Sequence, residues 1–429
     1  MSDHVTCLGC GCACDDIHLR VLDARIVEAQ NACALGAAWF GDGSAPSRVR
    51  VGGRDAAIDE ALDEVVRLLA RAARPLVYIA PDISCETQRV CVAIADALHA
   101  TLDHVTSHTA LTSILAAQER GRASATLGEV RNRADVVVFW GVDPDARYPR
   151  FATRYVPAPA GVHVPDGRRS RLVFAVDVGD SRGPADADRR IAVPADDEVE
   201  ALTLLKALVA GSQPHSDSSE IVSGARHLAD TLLAARYAAI VADAEPDGDR
   251  VRDALRPNAL IAAAQALNAR TRCALITLRA GGNRCGAEMV ATAHTGYPLA
   301  IDFSRGAPRY RPAASGGAVE GDFDAVLVIG AADALPAEVV ERWESWPLAL
   351  IGPRASDSRL AHAGIVVDTA VAGIHEAGTA IRMDDVPLPL SAAVEGPRAT
   401  RDVAGALLER VRGRPRAAET RGRGEQDVD

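Results

Sequence analysis

The chain has 429 residues, 48% of them hydrophobic and 24% charged, enough for roughly two to four domains with a sizeable core and too apolar for wholesale disorder. Its 47 Lys and Arg against 58 Asp and Glu leave a net charge of −11, and only 4% of residues are aromatic. Such a surface repels phosphate backbones and offers few stacking platforms, which excludes nucleic acid as the expected partner. The start, Met-Ser-Asp-His, lacks a basic and apolar leader, and no apolar run nears the ~18–20 residues of a membrane span, so a cytoplasmic protein without a membrane partner is expected.

In chain order, residues 1–52 read as a loop-rich module holding five of the nine cysteines. A helix is predicted over 56–72, where Ile58, Leu62, Val65 and Leu69 recur at helical spacing. A short buried strand follows at 76–80 and a helix near 84–98. Further apolar runs, at 136–140, 172–176, 238–241, 274–278, 325–329 and 348–351, alternate with helical stretches such as Val199–Val209. Continuous four- to six-residue apolar strands between helices mean parallel sheets covered on both faces, so the fold class is α/β. An internal echo supports two such units: Arg133-Ala134-Asp135 leads into VVVFWGVDP and later Asp180-Ser181-Arg182, while Asp322-Phe323-Asp324 leads into AVLVIGAAD and later Asp357-Ser358-Arg359. The expected organisation is a cysteine-rich module at 1–52 with 370–411 packed on it, and a first Rossmann-like domain from 53–135 and 236–369. A second Rossmann-like domain spans 136–235, followed by a disordered tail at 412–429 that is rich in Arg, Gly and Glu.

Cys7, Cys10, Cys14 and Cys33 are spaced C-x2-C-x3-C-x18-C, with Cys12 inside the first group and Gly9 and Gly11 in the loop. Three thiols within eight residues and a distant fourth suit a [4Fe–4S] cluster. A structural zinc site and unliganded thiols are the alternatives. Cys85, Cys91, Cys273 and Cys285 lie in helix, strand or turn settings and read as core. His104 and His108 are four apart, a metal spacing only on a helix, and their segment reads as a strand end and turn lining a pocket. Gly281-Gly282 with Asn283 and Arg284 reads as a strand-exit turn more readily than as a phosphate cradle. Arg305 and Arg309 are equally suited to an anion or to acidic neighbours.

Cys7-x-x-Cys10-Gly11-x-x-Cys14-Asp15-Asp16-Ile17, with Asn31-Ala32-Cys33 and Gly36, resembles the start of the formylmethanofuran dehydrogenase B-type chain, a molybdopterin oxidoreductase related to formate dehydrogenase. Thr126-Leu127-Gly128-Glu129-Val130-Arg131-Asn132-Arg133-Ala134-Asp135, Asp302-Phe303-Ser304-Arg305-Gly306 with Pro308-Arg309-Tyr310, and Gly378-Thr379-Ala380 with Arg382-Met383-Asp384 and Val386-Pro387-Leu388 are similar to further signatures of that family. The resemblance runs from residue 7 to about 390. It implies the molybdopterin oxidoreductase fold without the C-terminal barrel domain, and an obligate heteromer.

Active members hold tungsten or molybdenum through a Cys or selenocysteine, and the matching position here is Thr109. No Cys lies between residues 92 and 272, and a threonine hydroxyl is a poor donor to a soft high-valent metal. The family's G-C-N-P is Gly141-Val142-Asp143-Pro144 here, its following H-P is Tyr148-Pro149, and its V-D-P-R is Val176-Asp177-Val178-Gly179. Thr109, Asp143 and Asp177 are therefore expected to line a vestigial pterin and metal cleft with the tungsto- or molybdopterin absent. The resemblance is strongest to the B-type member of the methylotroph formyltransferase/hydrolase complex, which works in tetrahydromethanopterin-linked one-carbon metabolism. It implies a non-catalytic structural subunit with A-, C- and D-type partners. The two alternatives are an active tungsten or molybdenum dehydrogenase and an iron–sulfur electron-transfer subunit.

Overall fold

The computed structural model describes residues 2–213, 220–245, 254–312, 323–362 and 364–413; the tail expected to be disordered lies almost wholly outside the described residues. Two sheets dominate. In the larger, Thr101–His104, Pro75–Ile79, Ala325–Ile329, Leu348–Pro353 and Gly364–Thr369 run parallel in that order. Short antiparallel strands extend both edges, Ile301–Asp302 and Arg309–Tyr310 on one side and Val49–Val51 and Arg54–Asp55 on the other. The sheet is thus mixed at its rims and parallel only at its centre. Leu76 to Ile79 and Ala325 to Ile329 are buried on both faces, as parallel strands between helix layers must be. Ile58–Arg71, Cys85–Ala97 and Thr400–Arg412 cover one face and Ala337–Trp343 the other. Ile58–Arg71 buries Leu62, Val65, Val66 and Leu69, with Asp59 and Glu60 in its first turn and Arg71 in its last, each complementing the helix dipole.

The second sheet is wholly parallel: Arg189–Val193, Leu172–Val178, Val136–Trp140, Ala238–Asp243 and Cys273–Leu278. In chain order this reads 3-2-1-4-5, a Rossmann-type half that offers a crevice beyond the carboxyl ends of its first and fourth strands. Strand pairing moves the expected domain boundary. Ala238–Asp243 and Cys273–Leu278 fall by sequence in the first domain but pair with Val136–Trp140, directly or through one another. Apolar runs of similar length carry no label saying which sheet they join.

The cysteine module is also more ordered than a loop-rich reading implies, because Ser2–Val5, Ile17–Leu22 and Arg25–Gln30 form an antiparallel sheet. The segment expected to pack on it divides. Ile374, Met383, Leu390 and Val394 share clusters with Leu8, Cys7, Cys12 and Cys14, whereas Thr400–Arg412 packs on the larger sheet through Val403, Leu407 and Val411. Among the described residues no helix is long and apolar enough to cross a membrane.

Candidate functional site

The first candidate region is the thiol loop. Cys7, Cys12 and Cys14 are buried, and Cys10 and Cys33 half-buried. The loop closes on itself by Cys7 N–H donating to Cys14 O (2.9 Å) and Ala13 N–H to Cys10 O (3.1 Å). Gly9 N–H donates to Cys7 Sγ at 3.4 Å. A Cβ at Gly36 would lie 3.3 Å from Cys7 Sγ and 3.9 Å from Cys33 Sγ, so these thiols face one gap. Burial pushes the Cys7 thiol up, and the nearby Cys10, Cys14 and Cys33 add to it, which places all four sulfurs in one locality. Burial also pushes Cys14 up to about 11 against the pull of Arg150 and Arg154. A hydrogen bond from Cys12 draws Cys10 down to about 7.

Three arginines, each paired with an aspartate, lie near these thiols. Both Asp16 oxygens accept from Arg150 at 2.6 Å, Arg154 pairs with Asp15 and Asp16, and Arg382 pairs with Asp384 at 2.5 Å. Among the described residues, no three Cys, His, Asp or Glu side chains converge as they would around a single ion. A zinc ion with bonds of about 2.3 Å demands that convergence. A four-iron cube spreads its thiolates wider and carries net negative charge.

The second region lies around Thr109, at the end of the short helix Thr106–Thr109 that follows the strand Thr101–His104. Its hydroxyl donates to Glu245 Oε2 (3.1 Å), lies 3.3 Å from Val105 O, and accepts from Arg284 Nη1 (3.3 Å). Glu245, 2% exposed, is the hub: Arg284 Nη1 donates to its Oε2 at 2.9 Å and Arg279 Nε to its Oε1. Arg279, itself buried, also grips Glu288 through both Nη atoms and reaches Thr106 Oγ1 at 3.3 Å. Burial works against ionising Glu245, but Arg279 and then Arg284 outweigh it and hold the carboxyl below the ordinary glutamate range. Paired charges of this kind stay in a low-dielectric interior only when their geometry is satisfied on all sides.

Glu245 and Arg284 thus meet position 109 directly, the position that the resemblance matches to the metal ligand. The side-chain donor at that position is a hydroxyl already committed to a carboxylate, and the Arg284 guanidinium contacts it. The residues present do not fit a tungsten or molybdenum centre. The crevice of the second sheet is likewise stitched. Arg147 donates to Asp243 Oδ2 (2.5 Å) and Glu245 O (2.6 Å), and Arg256 to Glu198 Oε1 (2.6 Å) and Asp243 O (2.7 Å). A cavity of about 410 Å³ remains beside this network, lined by Ile114, Gln118, Leu260, Leu275 and Thr277 with Arg122 at one side.

The thiol loop and the ion network touch through backbone. A Cβ at Gly11 would sit 2.0 Å from Arg279 O, and one at Gly281 would sit 2.8 Å from Leu8 O and 3.0 Å from Cys10 N. Only glycine admits this approach. Gly281-Gly282 is therefore a strand-exit turn wedged against the thiol loop.

The other sequence-selected residues are engaged elsewhere. Asp143 caps the short helix Pro144–Arg147 by accepting from Asp145 N (3.0 Å). Asp177 accepts from Gly183 N (2.9 Å), Arg190 (2.5 Å) and Arg182 (3.3 Å). His104 Nε2 contacts Pro298 O at 2.8 Å while His108 meets Glu338, so the two imidazoles diverge. Cys85, Cys91, Cys273 and Cys285 are buried in the core. Arg305 and Arg309 are exposed on the edge hairpin, with Arg309 adding to the charges that hold Asp302 low.

The chain is 32% identical over 414 residues to the B-type chain of the tungsten-containing formylmethanofuran dehydrogenase 2 of Methanococcus maripaludis, a match covering 92% of this chain and 94% of that one. It is 30% identical over 428 residues to the protein of the same name from Methanocaldococcus jannaschii, covering 95% and 98%. The chain belongs to the family of formylmethanofuran dehydrogenase B-type chains. A solved structure with the same fold is that of the formyltransferase/hydrolase complex (FhcABCD) from Methylorubrum extorquens in complex with methylofuran. The matched chain has a TM-score of 0.70 at 22% identity, covering 85% of this chain and 98% of that one. No family model matches.

Within this formylmethanofuran dehydrogenase B-type chain, sequence reading missed Glu245, Arg279, Arg284 and Glu288 as a unit. The available signal was positional: Glu245 and Arg279 lie just beyond the ends of Ala238–Asp243 and Cys273–Leu278, where open α/β sheets place ligand-facing side chains.

Proposed function

We propose that this chain is the B-type, non-redox subunit of a formyltransferase/hydrolase complex in tetrahydromethanopterin-linked one-carbon metabolism. It has the molybdopterin oxidoreductase fold without the C-terminal barrel and assembles in the cytoplasm with A-, C- and D-type subunits. The observation that carries the reading is Thr109 bound to the buried Glu245–Arg279–Arg284 network. Those side chains take the place of the metal ligand and of the open space a pterin-held metal needs. Whole-length kinship with the tungsten-containing B-type chains and likeness to the FhcABCD fold support the setting. Asp143 and Asp177, committed to a helix cap and to two arginines, are consistent with a cleft turned from cofactor binding to packing.

Cys7, Cys10, Cys14 and Cys33 would hold a [4Fe–4S] cluster, with Arg150 and Arg154 offsetting its charge. When bound, such a cluster supplies one-electron transfer or simply cross-links the module. Without a redox metal for it to serve, the structural role is the reading proposed here. The test uses the complex assembled in its native host and purified without oxygen. It should transfer and hydrolyse formyl groups and show no dye-linked oxidation of a formylated methanofuran-type carrier. Dye reduction at a rate comparable with hydrolysis would overturn the reading in favour of an active dehydrogenase.

A further inference from the structure

On the side away from Glu245, the second sheet ends in a row of arginines. Its four neighbouring strands begin at Leu172, Val136, Ala238 and Cys273, paired in that order. Arg169 precedes the first, Arg131 and Arg133 the second, Arg236 the third, and Arg270 and Arg272 the fourth, and all six are at least partly exposed. At ~4.8 Å between strands the row is roughly 14 Å long.

The acids on this face are fewer. Glu129 reaches Arg133 at 3.8 Å, Asp135 pairs with Arg236 at 3.1 Å, and Asp188 with Arg168 at 3.0 Å; Asp166 is exposed in the adjoining loop. For Arg169, Arg270 and Arg272 no acidic partner is present among the described residues. Beneath them Arg171 is buried, and its guanidinium is held by the carbonyl oxygens of Ala134 (3.0 Å), Pro157 (2.8 Å), Pro159 (2.6 Å) and Arg131. Those neutral acceptors satisfy its hydrogen bonds and leave its charge to project outward.

Val162 stands in the middle of this face. At 76% it is the most exposed large hydrophobic side chain among the described residues. Its loop is held firmly: Val162 N–H donates to Asn132 Oδ1 (3.2 Å), His163 N–H to Asn132 O (2.8 Å), and Arg236 Nη2 to His163 O (3.3 Å). Nearby lie two shallow grooves of about 480 and 440 Å³, one lined by Arg169, Thr231 and Arg236 and the other by Glu129, Tyr237 and Arg272. An apolar knob fixed among cations that outnumber the acids beside them is an interface pattern, with a central anchor and a charged rim.

We propose that this face docks an acidic segment of another subunit, with Val162 as its apolar anchor; the inference rests on the multi-subunit reading above. A polyanion fits less well. The row of roughly 14 Å is too short to follow a phosphate backbone.

The test replaces Val162 with photoreactive benzoylphenylalanine in the full chain, assembles and irradiates the complex, and maps the adduct by mass spectrometry. The adduct is expected on a segment of another subunit rich in Asp and Glu. The combined variant Arg131→Glu, Arg169→Glu, Arg236→Glu, Arg272→Glu should lower recovery of that subunit about tenfold or more, since opposed like charges disfavour a rim contact. The same reversal at the exposed Arg20, Arg25 and Arg54 should not lower it, and the melting temperature reports whether each variant is folded. If other subunits co-purify but the adduct is absent, or falls only on nucleic acid or on a second copy of this chain, this inference alone fails. If the unmodified chain purifies without any other subunit, the assembly reading fails and takes this one with it.

Discussion

The thiol loop and the Thr109 network lie back to back, joined at Gly11 and Arg279, yet they differ in kind. In the first, four sulfur donors keep the spacing that a cluster uses. In the second, the expected sulfur donor is an alcohol, and the space before it holds a carboxylate between two guanidinium groups. A site can lose its chemistry while its packing is rebuilt from ion pairs, and a neighbouring site bound into the same seam can persist because removing it would disturb the fold.

The comparison breaks most sharply at Glu245. Glu245→Ala leaves Arg279 and Arg284 buried without their shared partner and should cost about 3–5 kcal/mol in denaturant unfolding. Glu245→Gln keeps the shape without the charge and should cost about 2 kcal/mol; no cost at all would show that charge is not what holds the hub. At the seam, Gly11→Ala forces a methyl group onto the Arg279 carbonyl and should cost about 1–3 kcal/mol, and a neutral result there would mean that the two regions pack independently.

Acid sharpens the same contrast. Arg279 and Arg284 hold Glu245, and Arg150 holds Asp16, below the ordinary carboxylate range despite burial. Because the unfolded chain binds these protons first, with carboxyl values of about 4, the stabilisation is complete above about pH 4.5 and is lost as pH falls through and below that value. Melting temperature followed from pH 7 to 3 should drop, and Glu245→Gln should flatten part of the drop. Asp16→Asn, in a half-exposed pair, should cost only about 1 kcal/mol. Thr109→Val, which removes one hydroxyl and leaves both guanidinium groups on Glu245, should cost about 0.5–1.5 kcal/mol. A larger loss would make Thr109 more than an accessory to the network.

Much of this was legible in the sequence where a residue's environment is uniform. Runs such as Val136–Trp140 and Ala325–Ile329 are buried on both faces, so hydropathy alone marks them as strands. The strand end read at His104 is the end of Thr101–His104, whose Asp103 is buried by satisfying His104 N and Ala300 N (2.9 and 3.1 Å), a pairing no local pattern foretells. Ile17–Leu22 alternates buried Ile17 and Leu19 with His18 and Arg20, a half-buried strand signal that the neighbouring cysteine and glycine loop overshadowed. The cysteine set was legible by spacing and Thr109 by resemblance. Glu245, Arg279 and Arg284 were not, because they come from two strand ends and a helix start that only the assembled fold brings together. Nor could local periodicity tell that Ala238–Asp243 joins the second sheet.

The central claim is tested most directly by elemental analysis of the complex isolated without oxygen, with tungsten and molybdenum measured against the amount of this chain. The account predicts that both are absent while formyl transfer and hydrolysis proceed. About one tungsten or molybdenum per chain, with an anomalous-scattering peak beside Thr109, would contradict it.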